Sequence, residues 1–90
     1  MKLEELREII DKTDEQLIKL FVERMAVCSE IGEFKRKNGL PVEDALREAE
    51  KVRAVRAMVP DELKDSIEEL YECIFELSRR HQSVKGDGSR

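Results

Sequence analysis

Two cations stand where a helix should be apolar. From Lys2 to about Lys37 the chain has no proline and one glycine, Gly32, while Leu3, Leu6, Ile10, Leu17, Leu20, Phe21, Val27, Cys28 and Ile31 recur at helical spacing. Placed at steps of about 100°, these residues form a stripe about 120° wide, and Arg24 and Lys35 fall inside it. The two lie about 16 Å apart along one face. Burying either charge without a partner would cost several kcal/mol, so something anionic is expected to meet them.

Other polar groups occupy apolar faces elsewhere. Ser78 and Gln82 are i and i+4 neighbours set between Ile67, Tyr71 and Phe75, and Glu48 falls beside Val52 and Val55, with Asp44 one turn earlier and Arg47 on the adjoining face. Taken singly, each has a plain explanation: Arg24 snorkelling, Glu48 pairing with a core cation, Gln82 exposed near a fraying helix end. Together, cations, an acid, a hydroxyl and an amide on otherwise apolar faces describe a polar-lined pocket for a small anion. Arg7 sits on the flank of the first stripe, about 100° around the axis from Arg24 and about 25 Å along it. One small ligand could meet both only if two such helices packed antiparallel, bringing Arg7 of one subunit beside the middle of the other's helix.

The elements that must position these groups are three helices, an all-α class. The first, of roughly 35 residues, would be about 52 Å long, against a diameter of about 31 Å for a compact chain of this size. It must overhang its own domain, which predicts a homodimer. Asn38-Gly39-Leu40-Pro41 ends it with a left-handed cap candidate and a residue that cannot continue a helix. Asp44 can cap a second helix to about Met58, with Ala45, Ala49, Val52 and Val55 inward, and Pro60-Asp61 restarts the chain as a third reaching about Gln82. Residues 1–83 therefore read as one helical domain and 84–90 as a flexible tail.

Composition narrows the chemistry. Charged residues make up 42% of the 90 positions, with four glycines and two prolines, as suits helices. The net charge is −4, and basic residues alternate with acidic ones, leaving no stripe to track a nucleic acid. No apolar run approaches the ~18 residues of a membrane span, and the N-terminus lacks the apolar core of a signal peptide, so a cytoplasmic protein is the default. Cys28 and Cys73 match no metal or redox spacing and read as reduced, packed residues; a metal site or catalytic triad would rest on His81 alone, and neither is expected.

Apart from the tail, the chain resembles the all-helical class of chorismate mutases from end to end. The resemblance is carried by Leu6-Arg7-x-x-Ile10-Asp11-x-x-Asp14, Leu20-x-x-x-Arg24, Ile31-Gly32-x-x-Lys35, Leu40-Pro41-Val42-x-Asp44-x-x-Arg47-Glu48 and Ser78-x-x-x-Gln82. It implies an intertwined six-helix homodimer with two sites, each rearranging chorismate to prephenate without a cofactor. By matched position, Arg24 and the partner's Arg7 would clamp substrate carboxylates, and Lys35 and Gln82 would donate to the ether oxygen. Glu48, helped by Asp44, would accept the ring hydroxyl's hydrogen bond, with Arg47 and Ser78 completing the lining. An isochorismate pyruvate-lyase shares this fold and a similar cation set, and a catalytically silent dimerisation or regulatory module is the alternative from another class. The intact Leu40–Glu48 segment favours the mutase over the lyase, and the full set of matched polar positions counts against the silent module.

Overall fold

The computed structural model describes residues 1–84, and its regular elements there are helical: α1 (Leu3–Lys37), α2 (Ala45–Arg56), a 3₁₀ turn (Asp61–Leu63) and α3 (Lys64–Val84). The tail expected over 84–90 lies outside the described residues, except for the last helical position.

Helix α1 starts where Glu5 Oε1 accepts a hydrogen bond from the Lys2 backbone N–H at 2.7 Å. Glu4 and Glu5 occupy its first turn and Lys35, Arg36 and Lys37 its last, so side-chain charge opposes the helix dipole at both ends. It stops at Gly39, whose φ of 65° is left-handed. There the Leu40 N–H returns to the Lys35 carbonyl at 2.8 Å and the Gly39 N–H to Arg36 at 3.4 Å, the paired bonds of a Schellman ending. Asp44 caps α2 as expected, its Oδ1 accepting from the Arg47 N–H at 3.0 Å. The helix ends at Arg56, two residues short of the expected Met58, because the Met58 N–H closes a tighter turn on the Val55 carbonyl just before Pro60.

Helix α3 is the hub, with α1 packed on it from one side and α2 from another. Its start is tied to the end of α2 by Arg56, whose Nη1 donates to Asp65 Oδ1 at 3.0 Å and Glu68 Oε1 at 2.7 Å, while the Lys64 ammonium donates to the Arg56 carbonyl. The Asp65 hydrogen bond, ahead of Glu68, raises the Arg56 pKa above its ordinary value. At the other end of α3, Gly32 lets α1 approach closely: a Cβ there would stand 2.5 Å from the Gln82 carbonyl oxygen and 2.6 Å from its Cα.

Among the described residues the buried set is small: Met25, Cys28, Gly32, Val55 and Phe75, with the polar Ser78 and Gln82 among them. Cys28 is packed as expected, but Cys73 is exposed, because it lies about 180° around α3 from Gln82, on the face turned away from α1 and α2. The overhang of α1 is plain. Every residue through Glu23 is exposed, the molecule extends 54 × 30 × 13 Å, and its radius of gyration is 16.3 Å against about 12 Å for a compact chain of this length.

Candidate active site

A cavity of about 340 Å³ opens between the C-terminal half of α1, helix α2 and the last turns of α3. Its charge is lopsided: Arg24, Lys35, Arg47, Lys51 and Arg79 line it against Asp44 and Glu48, in a protein whose net charge is −4. Cys28, Ile31, Val42 and Phe75 supply the apolar wall, and Ser78 and Gln82 the neutral polar groups.

The cavity forms because three helices each turn a polar stretch toward the same place. On α1, Arg24 is partly buried; its Nη1 donates to Ser78 Oγ at 2.6 Å, and the Ser78 hydroxyl in turn donates to the Ile74 carbonyl at 2.7 Å. The guanidinium also lies over the Tyr71 ring, 5.9 Å from its centroid. Three turns on, the Lys35 ammonium donates to the Val42 carbonyl at 2.7 Å and to Gln82 Oε1 at 3.0 Å. An ammonium can only donate, so the Gln82 amide must turn its oxygen to Lys35, which leaves the NH₂ as its free end. Arg36 reaches around from the next position of α1 and donates to the Gln82 carbonyl at 2.7 Å.

Neither Arg24 nor Lys35 forms an ion pair among the described residues; their partners are a hydroxyl, the Cys28 sulfur, a carbonyl and an amide oxygen. Two partly buried positive charges thus retain their attraction for an external anion. The carboxylates of the cavity are engaged differently. Asp44 caps α2, and Glu48 Oε2 accepts from Arg79 Nη1 at 2.5 Å. The Glu48 hydrogen bond is the main reason the Arg79 pKa stands above its ordinary value.

Of the residues singled out in the sequence, Arg24, Lys35, Asp44, Arg47, Glu48, Ser78 and Gln82 all line this one cavity. Gln82 is buried, not frayed and exposed. Arg7 is not brought there; it lies on the exposed N-terminal half of α1. Arg79 and Lys51 line the cavity although the helical patterns did not single them out. Signals for both existed: Lys51 is i+4 from Arg47 and i+3 from Glu48, and Arg79 is only about 60° around α3 from Gln82.

A helical fold that gathers cations, an amide and a hydroxyl around a small cavity is suited to a small anion. Residues 6–83 match the family described as chorismate mutase type II, and the chain belongs to that family. Among named relatives, a chorismate mutase of Methanocaldococcus jannaschii is 38% identical over 47 residues, covering 52% of this chain and 48% of that protein. A Haemophilus influenzae T-protein is 33% identical over 70 residues, covering 72% of this chain and 19% of the relative. A bifunctional chorismate mutase/prephenate dehydratase of Aquifex aeolicus is 43% identical over 49 residues, 54% of this chain and 14% of its own length. The match therefore spans less than half of each of these relatives. No solved structure gives a significant match.

Proposed function

We propose that the chain catalyses the rearrangement of chorismate to prephenate, the step that opens the route to phenylalanine and tyrosine, in a homodimer with shared sites. The observation that carries this reading is the convergence of Arg24, Lys35, Glu48 and Gln82 on one cavity in which neither Arg24 nor Lys35 is neutralised by a carboxylate. Chorismate carries two carboxylates, a ring hydroxyl and an ether oxygen, and each has a counterpart among these groups.

The rearrangement is unimolecular: the ether C–O bond breaks as a C–C bond forms within the same molecule, and no proton leaves or arrives. A nucleophile, base or metal would have nothing to do. The enzyme's task is to hold the extended substrate in its folded, reactive conformation and to stabilise negative charge growing on the ether oxygen. Arg24 is suited to clamp a carboxylate with two parallel hydrogen bonds, and Arg7 of the partner subunit would hold the second. The Lys35 ammonium and the Gln82 amide, in contact at 3.0 Å, are close enough to serve one oxygen together. Glu48, supported by Asp44, takes the ring hydroxyl; Arg47 and Ser78 complete the lining.

The exposed surface of α1 supports the dimer. The N-terminal half of this helix exposes Leu3, Leu6, Ile9, Ile10, Leu17, Ile18, Leu20, Phe21 and Val22, each at least 40% accessible. An antiparallel second α1 would cover this surface and carry Arg7 toward the neighbour's cavity. No helix among the described residues is long and apolar enough to cross a membrane, and a cytoplasmic site of action suits the substrate.

The direct test is to follow the loss of chorismate absorbance and the formation of prephenate by the purified protein without added metal or cofactor. Turnover well above the uncatalysed rate is expected, and its absence overturns the reading.

A further inference from the structure

Among the described residues that line the cavity, Arg79 and Glu48 form an ion pair that joins α3 to α2. Arg79 follows Ser78 on α3, three residues before Gln82, and lines the same cavity; its Nη1 donates to Oε2 of Glu48 on α2. The pair is semi-enclosed, with the two side chains 32% and 25% accessible. Among the described residues Glu48 Oε1 has no hydrogen-bond partner, so one oxygen is held and the other is open.

We propose that Arg79 is a positioning residue for the reaction, holding the Glu48 carboxylate in place and cancelling its charge so that a dianionic substrate can be bound beside it. This inference rests on the chorismate reading and deepens it. The electrostatic need is specific. A site that takes two substrate carboxylates but contains Glu48 would repel its own ligand unless that carboxylate were compensated, and in a partly desolvated cleft such repulsion is poorly screened. Lys35 and Arg24 cannot provide the compensation without being withdrawn from the substrate. Arg79 can, because it approaches from the α3 side and takes only one oxygen. Pairing also fixes a side chain with several free torsions, so the open oxygen waits in one place for the ring hydroxyl. Arg79 therefore acts through Glu48 and touches none of the reacting atoms.

The test is a double-mutant cycle in the full chain with chorismate as the probe, comparing wild type, Arg79→Met, Glu48→Gln and the double variant. Circular dichroism and thermal melts check the fold. Arg79→Met is expected to lower kcat/KM about tenfold, the scale of a lost charge-assisted hydrogen bond. Arg79→Lys should recover most of that loss, since it restores the charge. In the Glu48→Gln background, where no carboxylate needs compensating, Arg79→Met should change kcat/KM less than about twofold. Wild-type-like kinetics in Arg79→Met, or the same tenfold loss with Glu48 already replaced, overturns the proposal. If Arg79→Met fails to fold, Arg79→Gln takes its place in the cycle. Failure of wild type to turn over chorismate would instead remove the functional reading, and this proposal with it; the wild-type arm tells the two apart.

Discussion

At the scale of single residues the cavity is a balance of charge, and the most informative substitutions remove one charge at a time. Lys35 is the cation placed with Gln82, so Lys35→Ala is expected to lower kcat by about 10² to 10³, the scale of losing one donor to a developing oxyanion. Arg24→Ala should abolish measurable turnover, since it would remove both the proposed carboxylate ligand and the partner of the Ser78 hydroxyl. Both variants should keep their helical circular dichroism; near wild-type steady-state rates in either would refute the assignment of that residue. The raised pKa values of Arg56 and Arg79 have a simple consequence for pH. A group whose folded pKa is raised contributes stability that is lost only as pH climbs through that value, which for a guanidinium lies far into the alkaline range. These two arginines remain charged through the whole neutral range.

At the scale of elements, the crossing of α1 and α3 decides where the Gln82 amide stands. Gly32 permits the approach, Arg36 holds the Gln82 carbonyl and Lys35 its side chain, so three nearby positions of one helix set the end of another. Gly32→Ala would place a methyl group 2.5 Å from a backbone oxygen, and backbone cannot rotate away as a side chain can. Overpacking of this kind costs about 1 to 3 kcal/mol. The expected result is a melting temperature lower by several degrees or more, at about 4 to 8 °C per kcal/mol for a domain of this size. Activity in the folded fraction should fall as well, because the displaced end of α3 carries Gln82; a thermal melt paired with kinetics below the transition measures both. Asp44→Ala tests a milder point: loss of the α2 cap should cost about 1 kcal/mol in denaturant unfolding.

At the scale of the whole molecule, a single chain leaves most of its longest helix uncovered. With a mass of 10.5 kDa per chain, sedimentation equilibrium should report a species of about twice that mass, as a two-fold assembly requires. A stable 10.5 kDa monomer at micromolar concentration would refute the dimer. Sharing of sites has its own test. Mixed Arg7→Ala and Arg24→Ala subunits, each inactive alone, place one intact site in every heterodimer. Random exchange of equal amounts should therefore restore about a quarter of wild-type activity, given two equivalent sites. No recovery after confirmed exchange would show that Arg7 does not act in trans.

Much of this was legible in the sequence because local rules wrote it. The helix period, Gly39, the Asp44 cap and Pro60 mark the three helices to within about three residues, the widest miss being the start of α3, where a 3₁₀ turn over Asp61–Leu63 comes first, and cations inside the apolar stripe of α1 single out Arg24 and Lys35 before any fold is known. What no local rule contains is which side of one helix faces another. Arg79 lies just outside the stripe that marks Ser78 and Gln82, and only the packing of α2 against α3 brings it to Glu48. Cys73 matched the apolar pattern yet stands exposed, because helix periodicity records amphipathic faces and not how many of them a single chain can cover. The sequence by itself determined where helices begin and end and which groups are too polar for their faces. Tertiary structure decided which of those groups meet, because contacts between residues tens of positions apart depend on how closely helices approach, and at Gly32 that distance is set by the absence of one methyl group.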